Sequence, residues 1–171
     1  IGVMQGRMVP PVNGEIQAFP HETWADEFPR AEAAGLDCIE WIFDLGTEDR
    51  NPIWTVDGPA RIIALAEEHG VAVLSVCADY FMRRPLLDAS DADKRDRLDV
   101  LLKLIDRAKA IGANRIVLPF VDASSITTER DRGAAIELLR TAAERNSTSR
   151  RISDLQHSRV SSTTSRPRMS G

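Results

Sequence analysis

Residues 70–77 read GVAVLSVC, a glycine that leads directly into a short apolar run. The same arrangement occurs at Gly35 before CIEW (38–41) and at Gly112 before RIVLPF (115–120). Each glycine follows a helical pattern, and glycine closes helices because it adopts the left-handed conformation at little cost. The repeat therefore predicts helices that end at glycine and pass within a few residues into short strands.

The predicted strands are IGVMQG (1–6), CIEW, VAVLSVC (71–77) and RIVLPF, and they are mostly apolar on both faces. This pattern is typical of parallel strands that are covered on both sides, and their alternation with helices indicates βαβ units. We therefore predict the α/β class with about four βα units in a parallel sheet. Such a sheet could be open and doubly wound, or it could be the first half of a (β/α)8 barrel.

The predicted helices cover approximately residues 23–34, 59–69, 91–111 and 131–145. Pro29 falls inside the first pattern, which predicts a kink or a late start of that helix. Ser90 or Asp91 can cap the third helix, whose apolar residues recur at helical spacing.

Each predicted strand runs at its carboxyl end into residues with polar groups: Gln5 and Arg7, Glu40 and Trp41, Asp79, and Asp122. The sequence has no GxGxxG or GxxxxGK[ST] motif that would suggest a nucleotide-binding open sheet. In a parallel barrel the functional residues sit at the carboxyl ends of the strands, where they meet at one mouth. The pattern favours the barrel.

Several of these strand ends resemble the sugar phosphate isomerase/epimerase family of xylose isomerase-like barrels. The resemblance rests on GVMQGRMVPP (2–11), GLDCIEWIFD (35–44), VCADYFMRRPL (76–86) and IVLPFVDASSI (116–126), and it covers roughly residues 1–145. The family also includes hexulose-phosphate epimerases and, more distantly, metal-dependent AP endonucleases. It implies a TIM barrel that moves a proton next to a sugar carbonyl.

The resemblance also implies a divalent metal, Mn²⁺ or a relative, that stabilises the enediolate formed in this chemistry. In the family the metal ligands are carboxylates and a histidine on later strands, beginning with a Glu at the end of the fifth. The sequence pattern predicts no fifth strand after residue 145. We therefore expect no metal bound to this chain and little or no catalysis. The sequence does not decide whether this chain is an enzyme.

The resemblance suggests that Glu40 contacts the substrate directly or orients a group that does, with Trp41 as a wall facing the sugar. The alternative for Glu40 is a structural carboxylate paired with a base such as Arg7. Arg7 itself could instead clamp a phosphate or carboxylate, because its planar fork binds two oxygens at once.

Gln5, Asp79 and Asp122 complete the candidate substrate-binding set. Asp79 could accept hydrogen bonds from sugar hydroxyls, or it could be a turn or helix-capping aspartate. Asp122 precedes ASS and has turn chemistry as its alternative. No catalytic residue is assigned.

The composition changes after residue 145. Residues 146–171 hold five arginines and one aspartate with few large apolar groups, whereas the whole chain has a net charge of -4. Such a Ser/Arg-rich segment buries too little apolar surface to offset its ordering entropy, so we predict a disordered tail at 146–171. Three explanations stay open for the tail: a shifted reading frame, a truncated paralogue and a functional basic extension.

Two other functions remain as alternatives. One is a non-catalytic half-barrel interaction protein with a nucleic-acid-binding tail, although the tail has no aromatic residue for base stacking. The other is an AP endonuclease-like hydrolase. No apolar segment is long enough to span a membrane, so we expect a cytoplasmic protein without a membrane partner. The unpaired outer strands of a half barrel predict self-association.

Overall fold

The computed structural model describes residues 1–15, 17–87 and 89–162, with no side-chain description for 147–162. Four parallel strands form one sheet in the order β1-β2-β3-β4. The strands are β1 (Gly2–Met4), β2 (Cys38–Ile42), β3 (Ala72–Cys77) and β4 (Arg115–Val117). The predicted parallel α/β arrangement is confirmed.

Five α-helices lie between or after the strands in the described part of the chain. They are α1 (Glu27–Ala33), α2 (Gly58–His69), α3 (Tyr80–Arg83), α4 (Asp91–Ala110) and α5 (Glu129–Ser162). Short 3-10 turns occupy Trp24–Asp26 and Asp122–Ser124. The short helix α3 was not predicted, because four residues carry too little periodicity to be recognised.

The predicted helix boundaries follow local chemistry. Gly35, Gly70 and Gly112 all have positive φ values of 63° to 83°, as the repeat requires. Pro29 lies in the first turn of α1, after the 3-10 turn, so the predicted late start is confirmed. The Ser90 hydroxyl accepts a hydrogen bond from the Asp93 amide at 3.2 Å and caps α4.

Helix α5 differs from its prediction at its end. The sequence pattern predicts an end near residue 145, whereas the backbone stays helical to Ser162. Residues 146–162 contain no glycine or proline to stop a helix, which is the physical reason that it can continue. The part of the disorder prediction that concerns 163–171 lies outside the described residues.

One hydrophobic core joins the sheet to its helices. Ile39 and Trp41 of β2 and Val73 and Val76 of β3 are buried on one face of the sheet. Glu40, which alternates with them, is half-buried on the opposite face. That opposite face corresponds to the interior of a barrel, and its carboxyl end leads to the candidate site.

Candidate functional site

A cavity of about 820 Å³ opens at the carboxyl ends of the strands. The segments after all four strands contribute to it. Its charged and polar lining includes Glu15, Gln17, His21, Asp44, Arg50, Asp79, Arg83 and Asp122. The segments after the strands therefore meet at one mouth, as predicted.

Asp79 is the buried carboxylate of this cavity. It is 7% exposed, and it lies just beyond the end of β3. The exposed Gln17 side chain donates a hydrogen bond to Oδ2 at 2.9 Å, and the Cys77 thiol donates one to Oδ1 at 3.2 Å. Although Asp79 occupies the N-cap position of α3, its side chain makes no capping hydrogen bond. The carboxylate is thus held by other side chains and does not cap a helix.

Burial raises the pKa of Asp79, and the charges of Asp44 and Glu40 raise it further, while the bonds from Cys77 and Gln17 partly offset these effects. Burial and the charge of Asp79 also raise the pKa of the Cys77 thiol. Cys77 therefore keeps its proton and can act as the donor to Asp79. A carboxyl group with a raised pKa in a cavity is suited to hydrogen bonding with hydroxyls or to holding a proton.

Asp44 orders the wall of the cavity that follows β2. One carboxylate oxygen accepts a hydrogen bond from the Phe19 amide at 2.9 Å, and the other accepts one from the Thr47 hydroxyl. These bonds connect the segment after β1 with the segment after β2. Asp44 is the last residue of GLDCIEWIFD (35–44), but nothing in the sequence pattern distinguished it as a site residue.

Cationic groups face the same cavity. Arg50 and Arg83 are exposed side chains that line it, and neither belongs to the predicted set. His21 also lines it; its side chain is 20% exposed, and its Nδ1 is buried without a hydrogen-bond partner among the described residues. The cavity can therefore meet both hydroxyl and anionic groups of a ligand.

Two of the predicted substrate-binding residues, Asp79 and Asp122, lie in the lining. Asp122 has a positive φ of 51° in the turn after β4, so turn chemistry also applies to it. Glu40 lies below the cavity on β2 and accepts a hydrogen bond from the Ser75 hydroxyl at 2.7 Å. It reaches the site through its charge, which acts on Asp79.

Gln5, Arg7 and Trp41 lie away from the lining. Gln5 is fully buried, and its Oε1 accepts a hydrogen bond from the Ile42 amide at 3.1 Å. Arg7 is exposed, with its guanidinium 3.9 Å from the Met4 sulfur, and it forms no ion pair with Glu40 in the described structure.

Trp41 is fully buried among Phe19 and Trp24, with ring centroids 5.6 Å from each. Its Nε1 donates a hydrogen bond to Asn51 Oδ1 at 2.9 Å. The enclosed indole leaves no surface for a sugar. Side chains alternate along a strand, so Glu40 lies on the opposite face of the sheet. The structure therefore gives Trp41 a core position.

Glu27 on α1 is a buried carboxylate that sequence reasoning missed. It is 1% exposed and accepts hydrogen bonds from the Gly6 amide at 2.7 Å and the Met8 amide at 3.2 Å. Burial raises its pKa, and the amides of Met8, Gly6 and Arg7 partly offset that effect. Glu27 fixes the segment after β1, and only its place in the first turn of a helix could have suggested an interaction with amides.

Residues 28–150 match the family model described as the xylose isomerase-like TIM barrel. The chain belongs to this family. A comparison with curated proteins finds no match. The family accounts for the parallel sheet and for the cavity at the carboxyl ends of its strands, since TIM barrels place their sites there.

The metal that often accompanies this family does not fit the described side chains. Among residues 1–15, 17–87 and 89–146, no group of three or more His, Cys, Asp or Glu is placed to hold a metal ion. Separately, no helix of the described chain is long and apolar enough to cross a membrane.

Proposed function

We propose that the cavity after β1–β4 binds a sugar or sugar phosphate, as the substrate-binding part of an isomerase or epimerase. The observation that carries the proposal is the buried Asp79 carboxylate in a cavity built by segments after all four strands. A volume of about 820 Å³ lies within the usual range for small-molecule sites.

The side chains suit the parts of such a ligand. Asp79 and Asp122 can accept hydrogen bonds from hydroxyls, and Gln17 can exchange its bond to Asp79 for one to the ligand. Arg50 and Arg83 offer planar forks that match phosphate oxygens. The proposal assigns phosphate to these two residues rather than to Arg7, because they line the cavity.

We further propose that this chain, tested alone, turns over ketoses slowly or not at all. The reaction needs stabilisation of the enediolate charge, for which the family uses a divalent metal. The described residues supply carboxylates that could hold a proton but no cluster for that metal. Binding is therefore the property to measure first.

Isothermal titration with a ketose and with its phosphate ester tests the proposal. Asp79→Asn should weaken both ligands about 10- to 100-fold, because hydrogen bonds to a charged group contribute about 1.5 to 3 kcal/mol and each 1.4 kcal/mol is about tenfold. The double variant Arg50→Ala, Arg83→Ala should weaken the phosphate ester and spare the sugar. Arg95→Ala, which removes an exposed arginine outside the cavity, is the matched control.

The proposal fails if neither ligand binds, or if the arginine variant changes both ligands equally. An added titration with abasic DNA separates the nuclease branch of the family. Tight, salt-sensitive DNA binding without sugar binding would favour that branch.

A further inference from the structure

The described sheet has two unpaired edges, β1 on one side and β4 on the other. On β4, Arg115 and Val117 are exposed, and Val117 retains 42% of its surface. Unpaired edges present backbone donors and acceptors that pair readily with another strand. Because the strands are parallel and in sequential order, both edges run in the same direction.

We propose that a second copy of this chain closes the barrel around a two-fold axis that runs along the barrel. Each copy then places β4 beside β1 of its partner, and both new pairs are parallel. Eight strands are the number at which such a ring is filled by its own side chains. The arrangement satisfies both edges at once, whereas repeated addition at one edge would leave open ends.

Charge on the barrel face supports a second copy of the same chain as the occupant. The strand register aligns Met4, Glu40, Ser75 and Arg115 in one row. Register partners share a face, and the bond from Ser75 to Glu40 confirms this for two of them. The row therefore carries a negative charge on β2 and a positive charge on β4.

In the closed ring these charges alternate by strand: negative on β2, positive on β4, then the same again in the partner. Arg115 would lie two strands from Glu40 of its own chain and two strands from Glu40 of the partner subunit. Arg115 makes no ion pair in the described single chain. A second copy supplies an opposite charge on its open side, and the four charges of the ring cancel.

The helical layer leaves apolar side chains exposed near both edges of the sheet. Ile136 and Leu139 of α5 are 44% and 43% exposed. A groove of about 520 Å³ runs between α4, β4 and α5, and it is lined in part by Ile116, Leu118 and Leu139. At the other edge Ile1 is 86% exposed and Val3 is half-buried. Closure would lay α5 of one copy over β1 of the other and cover these groups together.

Closure would also complete the mouth. The segment with Asp122 follows β4, and the segment with Arg7 follows β1, so each copy would bring Arg7 next to the partner's cavity at the junction. This would explain why Arg7 is exposed and lies off the lining in one chain. The inference does not depend on the proposed ligand, since it rests on strand edges and charge.

Sedimentation of the full chain over a wide concentration range tests the inference. We expect a species of twice the chain mass. Arg115→Glu should weaken it at least about 10-fold, because it turns the two attractions across the interface into repulsions at about 10 Å. Arg95→Glu makes the same change of charge on an exposed residue of α4 and should leave the dimer intact.

A mixing experiment separates charge pairing from misfolding. Glu40→Arg alone should also weaken the dimer, since Arg115 of each copy then meets a second positive charge across the junction. Mixing the Arg115→Glu and Glu40→Arg chains places an opposite pair across each of the two junctions of the mixed dimer, relieves the repulsion between like chains, and should restore association. A monomeric wild-type chain, open-ended oligomers, or a mixture that stays monomeric would each overturn the inference.

Discussion

Replacing Asn51 with alanine tests the core position of Trp41. Asn51 is fully buried, and its Oδ1 accepts hydrogen bonds from Trp41 Nε1 at 2.9 Å and from the Ile53 amide at 3.3 Å. Its Nδ2 donates to the Ile42 carbonyl at 2.9 Å. One side chain therefore joins the indole, the end of β2 and the segment that follows it.

The magnitude follows from these three bonds. Each hydrogen bond contributes about 1 kcal/mol net, and a buried group left without a partner costs about 1 to 3 kcal/mol. We expect Asn51→Ala to lower the free energy of unfolding by about 3 kcal/mol, with the long bond to Ile53 contributing least. Domain stabilities are about 5 to 15 kcal/mol, so the loss would be easily measured.

Urea unfolding at fixed protein concentration is the assay. Asn114→Ala is the control, because Asn114 is exposed; we expect a change within about 0.5 kcal/mol. Trp41→Phe combined with Asn51→Ala should give a coupling energy of about 0.5 to 3 kcal/mol. A cost below about 1 kcal/mol for Asn51→Ala, or a Trp41→Phe variant that loses sugar binding at full stability, would refute the core assignment.

Two further predictions concern stability. Burial raises the pKa of Asp79 in the folded protein, so the contribution of Asp79 to stability is fully present below its ordinary pKa and is lost as the pH rises through the folded pKa. Asp79→Asn should remove this pH dependence. Melting temperatures of the two proteins that change in parallel from acid to neutral pH would contradict the prediction. Gly58→Ala should lower the free energy of unfolding by about 1 to 3 kcal/mol, because the new Cβ would overlap the Pro52 carbonyl. Gly133→Ala, on open helix surface, should raise it by about 0.5 to 1 kcal/mol in the same urea assay. Equal effects of the two substitutions would contradict the close approach at Gly58.

The sheet could be predicted because its signals are local. Gly70 closes α2 in the left-handed conformation, and the apolar run after it becomes β3. The same chemistry acts at Gly35 and Gly112. Parallel strands covered by helices need apolar residues on both faces, and that requirement is visible in the sequence.

The position of the cavity could be predicted from the sequence, but only some of its lining residues could. Asp79 and Asp122 are identified by their positions directly after strands, whereas Arg50 and Arg83 lie further along the segments that follow β2 and β3 and reach the lining only through the path of those segments. Trp41 shows the limit at a single position. Neighbouring residues of a strand face opposite sides, so Glu40 and Trp41 could never share one site, and only the packing around the indole shows which side is the core.

Three carboxylates near the strand ends differ in what holds them, and this difference determines which can serve a ligand. Glu27 accepts hydrogen bonds from backbone amides, which cannot leave without unfolding the segment after β1. Glu40 accepts one from the Ser75 hydroxyl within the sheet. Asp79 depends on the exposed Gln17 side chain and on a thiol, the weakest donor of the three kinds. A ligand hydroxyl can replace Gln17 at small cost, and of the three carboxylates Asp79 is the one that lines the cavity, so it is the one placed to serve a ligand.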